Sequence, residues 1–199
     1  MTKIRKITVY SFDELSDTAR QHALEKLYNI NTNYEWWDST FDDFKTIADL
    51  MGIGVKNIYF SGFSSQGDGA CFSGDYRYKK GALSAVKDYA PLDKELHRIA
   101  KGFQDIQRRY FYQLSADISE PRGHYVHERS VTVDVEHYER YSMDIPIVIQ
   151  DAIDELLRDM MRWLYKTLEE EYDWRTSEEQ IIESIQANEY EFDSGGNLI

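Results

Sequence analysis

Phe60-Ser61-Gly62-Phe63-Ser64-Ser65-Gln66-Gly67-Asp68-Gly69-Ala70-Cys71-Phe72-Ser73-Gly74 is the stretch on which the fold turns. Val55–Phe60 before it and Ala70–Tyr78 at its end are rich in aromatic and apolar residues with partial alternation, the pattern of half-buried strands. Ser64–Gly69 between them is a turn cluster, and its Asp68-Gly69 pair suits a reversal needing positive φ. A β-hairpin with its tip near Gly67–Gly69 follows. Gly62 and Gly74 fall within the strand pattern, where glycine marks a bulge or a close backbone approach. Two readings stand side by side. In one, the glycines simply build the hairpin. In the other, Ser61, Ser65, Gln66 and Asp68, with Phe63 beside them, form a lip for a ligand or partner.

Outward from the hairpin, Lys3–Tyr10 reads as a strand. Ser16 caps a helix to about Asn29 in which Ala19, Ala23, Leu24 and Leu27 recur at helical spacing. A second helix, from about Glu35 to Met51, ends at Gly52. Its adjacent Trp36 and Trp37 point about 100° apart on a helix, so one faces the core and the other the surface. Trp36 is therefore both a core candidate and a candidate partner contact. Beyond the hairpin, Ala82–Tyr89 is a short helix. Pro91 starts another, carrying Leu92, Leu96, Ile99, Phe103 and Ile106 to about Arg109. Tyr110–Ile118 and Tyr125–Tyr138 make a second hairpin across Pro121-Arg122-Gly123. In its return strand Val131, Val133 and Val135 alternate with Thr132, Asp134 and Glu136. Pro146 opens the longest helix, to about Tyr172, with Ile149, Ile153, Leu156, Leu157, Met160, Leu164 and Leu168 on one stripe and an Asp154–Arg158 pair outside. Ser177 and Gln180 form a capping box for a last short helix. Glu189–Phe192 is an edge strand, and the tail beyond it is loose.

These elements make an α+β fold: an antiparallel sheet from two hairpins plus terminal strands, packed with four to five helices. With 199 residues, 42% hydrophobic, and no repeat or low-complexity linker, one domain over 1–199 is the expectation. The single Cys71 excludes an internal disulfide and suits a buried strand position. No apolar run approaches the roughly 18 residues of a membrane span. The chain carries 36 acidic and 23 basic side chains, a net charge of −13. Of that imbalance −11 falls within Glu139–Ile199, where 16 acidic side chains face 5 basic ones. Such a charge opposes general binding to nucleic acid or anionic membrane. An acidic face serves solubility, or attracts a basic protein, or imitates a phosphate backbone.

Motifs for chemistry are sparse. His124 and His127 are three apart, and strand parity puts His137 with His127 rather than His124, which is poor zinc geometry. Gly62–Gly67 lacks the Gly-x-Ser-x-Gly elbow, Gly67-x-Gly69 lacks the rest of a dinucleotide fingerprint, and Gln66–Gly69 lacks the carboxylate ladder of a calcium loop. A nucleotide site would need Arg77, Lys79, Lys80, Arg108 and Arg109 to converge. No catalytic residue, metal or cofactor is assigned.

Phe60-Ser61-Gly62-Phe63, Ser65–Ala70 and Phe72-x-Gly74 resemble a motif shared by small uncharacterised proteins of tailed bacteriophages, some labelled antitoxin-like. Tyr10–Ala19 and Asn188–Phe192 resemble the same group, in which an aromatic residue often stands at the position of Ser64. The resemblance implies a phage origin, the cytoplasm of an infected bacterium as compartment, and no assigned chemistry. Three functions are carried forward: a non-catalytic inhibitor of a host defence component or toxin, a nucleotide-sequestering protein, and a hydrolase.

Overall fold

Strand Ile53–Phe60 (β1) reverses into Ala70–Arg77 (β2), Leu114–Ile118 (β3) lies beside β2, and Val133–His137 (β4) beside β3, giving a four-stranded antiparallel sheet in chain order. The computed structural model describes residues 8–123, 125–138 and 144–199. Among the described residues six α-helices accompany the sheet: Asp17–Lys26 (α1), Asp38–Met51 (α2), Ala82–Tyr89 (α3), Lys94–Arg109 (α4), Ile147–Arg175 (α5) and Glu178–Ala187 (α6). The class is α+β. Two compact units divide the chain: the larger is Ser39–Glu169, and the smaller takes the two ends, up to Asp38 and from Glu170 onward. Among the described residues no helix is long and apolar enough to cross a membrane.

In the larger unit one face of the sheet is core. Tyr76, Ala116 and Val135 stand opposite one another across three strands, as do Leu114 and His137 across two. Tyr76, Leu114 and Ala116 are almost fully buried, and His137 shares their face, as strand parity predicts. Phe44 of α2 lies 5.5 Å from the Phe72 ring and 6.3 Å from that of Trp163, while Phe103 of α4 lies 4.5 Å from Tyr76. Buried Gln107 is fully occupied: its amide donates to the Tyr76 hydroxyl and the Leu114 carbonyl, and its Oε1 accepts from the Leu114 amide. A polar group this deep is tolerated because every valence is met. Ile153, Leu157, Met160, Leu164 and Leu168 of α5 are fully buried, as their spacing requires.

Several elements differ from expectation. Helix α1 stops at Lys26, and α2 starts at Asp38, so Trp36 and Trp37 precede the helix and the 100° argument does not govern them. Helix α4 begins after Pro91 and Leu92, at Lys94, because the Asp93 carboxylate accepts the Leu96 amide and caps it there; Leu92 is exposed. Strand β3 starts only at Leu114, since Phe111 and Tyr112 have left-handed backbones (φ 54° and 61°) that no strand admits. Strand β4 keeps Val133–His137 of the longer expected run. The Arg158 side chain, expected outside, is almost wholly buried and bonds to Asp154 and to the Glu128 carbonyl. Residues 3–7 of the strand expected over Lys3–Tyr10, and His124, lie outside the described residues.

The smaller unit packs Phe12, Leu15, Ala19, Ala23 and Leu24 against Ile181, Ile185 and Phe192. Where terminal strands were expected, the described residues form isolated bridges: Tyr10 bridges Phe192, and Phe192 bridges Leu198. Nor is the tail loose, because the Asp193 carboxylate accepts the Asn197 amide, the Asn197 side chain and the Gly195 amide, which hold its pKa down. Ser177 caps α6 through the Gln180 amide, and the reciprocal capping box belongs instead to Ser11 and Glu14.

Candidate functional site

Residues 61–69 form a closed loop. Ser61 seals its neck: its amide donates to the Gly69 carbonyl, its hydroxyl accepts the Gly69 amide, and the same hydroxyl donates to the Val126 carbonyl. Asp68 closes the turn from inside, its carboxylate accepting the Ser64 and Ser65 amides at 3.0 and 2.7 Å. The positive φ falls at Gly67 (102°) rather than at Gly69. Gly69 is needed for another reason: a Cβ there would come 2.6 Å from the His127 Cβ. Phe63 stacks between Phe60 and Tyr165, with centroids 6.0 and 5.5 Å away, and the Tyr165 hydroxyl donates to the Gly62 carbonyl. Of the sequence-predicted residues, Ser61, Phe63 and Asp68 thus build the loop, while Ser65 and Gln66 stand exposed at its tip. Tyr125, 64% exposed, lies against Gly67. Trp36 belongs to the smaller unit, where it is buried against Trp37 and Tyr172.

Beyond the loop, the β1–β2 hairpin is tied to the β3–β4 connection by Glu120. Its carboxylate accepts from Asn57 Nδ2 and Ser73 Oγ, both at 3.1 Å, and from the Tyr59 hydroxyl, with Lys56 Nζ 3.7 Å away. The Tyr59 bond is the largest cause holding the Glu120 pKa below the usual carboxylate range, and the same bond raises that of Tyr59. Nearby Cys71 is fully buried; burial, then the charges of Glu120 and Glu128, push its thiol up to about 12. An unreactive thiol is the result.

The second face of the sheet carries the least expected feature. Asp75 stands opposite Asp117, and Asp117 opposite Asp134, a single row of aspartates across β2, β3 and β4, all exposed. A groove of about 610 Å³ runs beside it, lined by Lys56, Ser73, Asp75, Asp117, Ser119 and Glu120 among others. Gly74 shapes the groove: a Cβ there would fall 1.9 Å from the Gly54 carbonyl oxygen, at the bulge between Val55 and Asn57. Each aspartate sits at a polar position of its strand, so the pattern shows it as outward-facing. What the pattern lacks is register, the only thing that aligns the three. Among the described residues no group of three His, Cys, Asp or Glu side chains is arranged to hold a metal ion.

A family model described as "Domain of unknown function (DUF8835)" matches residues 36–178. The chain belongs to this family. The DUF8835 span contains α2 to α5 and the entire sheet, so the closed loop, the Glu120 junction and the aspartate row all lie inside it. No curated protein and no solved structure matches the chain.

Proposed function

We propose that this DUF8835 protein acts by binding rather than by catalysis, presenting the outer sheet face to a basic surface of a host protein. The aspartate row carries the reading. Like charges directly opposite on paired strands are destabilising, and residues that break a local rule without local compensation are expected at functional sites. Three carboxylates in register offer a spaced set of acceptors for lysine or arginine, and their field raises encounter rates with a cationic partner. The closed loop at the far end of β2 adds a preorganised edge, with Ser65, Gln66 and Tyr125 exposed and little ordering left to lose on binding. The bacteriophage-like motif at 60–74 supports a bacterial host, with a toxin or defence component as the partner class and the infected cytoplasm as the compartment. The nucleotide-sequestering alternative draws less support from this face, where Asp75, Asp117 and Glu120 line the groove beside Lys56.

The test is the triple variant Asp75→Asn, Asp117→Asn, Asp134→Asn. It should resist denaturant better than the parent, by roughly 0.2–1 kcal/mol for each relieved pair, yet lose a host protein that the parent captures from bacterial lysate in a salt-sensitive manner. Identical capture by parent and variant rejects the proposal.

A further inference from the structure

A different corner of the larger unit is basic and aromatic. At the end of α4, Phe111 and Tyr112 hold consecutive left-handed backbones, a conformation that bulky L-residues avoid. Three backbone bonds fix them: the Tyr110 and Tyr112 amides donate to the Gln107 carbonyl, and the Gln113 amide donates to that of Tyr110. The strained turn leaves the Phe111 ring 82% exposed and Tyr112 43% exposed. Strain held in place to display a large apolar ring points to a use for that ring. Tyr112 stacks on Tyr78 with centroids 4.9 Å apart, which brings the end of β2 beside the end of α4. Basic residues adjoin these rings in the chain: Arg77, Lys79 and Lys80 lie beside Tyr78, and Arg108 and Arg109 just before Phe111. Lys79 is paired with Asp49, and the Arg77 guanidinium lies 5.9 Å from the Tyr138 ring centre. Lys80, Arg108 and Arg109 are exposed and form no ion pair among the described residues.

We propose that this corner binds a short single strand of nucleic acid, bases stacking on Phe111 and Tyr112 and phosphates meeting Lys80, Arg108 and Arg109. The Phe111 ring stands out from the surface, so it cannot enclose a small molecule. A strand needs no enclosure, because every base brings a flat face to an exposed ring while its backbone tracks neighbouring cations. An acidic peptide would meet the cations and leave the rings unused. The net charge of −13 opposes long or duplex ligands, whose further phosphates would meet the acidic surfaces, and so limits the ligand to a few nucleotides. This proposal does not depend on the aspartate row.

The probe is fluorescein-labelled octathymidylate, followed by anisotropy at low ionic strength. The parent should bind with a Kd of ~100 µM or tighter, and three phosphate contacts predict a salt slope of roughly −2, hence a ~20-fold loss between 50 and 200 mM salt. Phe111→Ala should weaken binding ~10-fold through lost stacking. Phe111→Gly, which also relieves the backbone, should weaken binding as much while unfolding no more readily than the parent. Arg108→Gln with Arg109→Gln should flatten the salt slope by roughly 1.4. The triple variant Asp75→Asn, Asp117→Asn, Asp134→Asn should leave binding intact or tighten it, so failure here and failure of the acidic-face reading are distinguishable. No anisotropy change with the parent, an unaltered Kd in both Phe111 variants, or equal binding of labelled oligoglutamate each overturns the proposal.

Discussion

Glu120 shows how one carboxylate can couple two parts of a sheet that are distant in sequence. It gathers Asn57, Tyr59 and Ser73 from the first hairpin onto the connection of the second, and its depressed pKa records that gathering. For an acid stabilised in its charged form, the contribution to folding is complete above the unfolded carboxylate pKa of about 4.3 and disappears as pH falls through the lower folded value. Glu120→Gln should therefore unfold more readily than the parent at pH 7 and lose less stability than the parent on acidification to pH 3, measured by urea titration at both pH values. Equal acid sensitivity in the two proteins would show that the junction contributes nothing. The neighbours of Glu120 were not legible beforehand. An exposed glutamate after a strand carries no signal in an acidic chain, and its partners lie 47, 61 and 63 positions earlier.

At the level of elements, periodicity spoke clearly where a segment buries one face and poorly where hydrogen bonds decide the ends. The valine alternation of β4, the α5 stripe and both strands of the first hairpin stand where the pattern puts them. Pro91 misled because a carboxylate two residues later made the better cap, and the β3 start misled because aromatic residues took glycine-like backbone angles. The 61–69 loop lies between these cases: its place was readable, but not the inward turn of Asp68. Because that carboxylate accepts two amides, Asp68→Ala should cost roughly 1.5–3 kcal/mol and expose the Ser64 and Ser65 amides to solvent exchange, while the β1–β2 ladder stays protected. Hydrogen exchange followed by NMR distinguishes this from general unfolding, in which the ladder amides would exchange as well.

For the whole molecule, the division into two units was the least legible feature, because hydrophobic periodicity is blind to which segments pack together. Phe192 illustrates the point: it is fully buried, its ring 6.2 Å from that of Phe12, and its backbone bridges both Tyr10 and Leu198. Phe192→Ala should cost roughly 3–5 kcal/mol, with amides of α1 and α6 losing protection before those of the sheet. Simultaneous loss across both units would show that they melt as one.

The same bridge has a consequence for synthesis. Residues 39–169 leave the ribosome as an uninterrupted run whose strands pair in the order they are made, whereas Tyr10 must wait through some 180 further residues before Phe192 exists to meet it. A segment made before the strands of the larger unit is thus among the last to find its place, and until then the Ala19, Ala23 and Leu24 side of α1 lacks the cover of Ile181, Ile185 and Phe192.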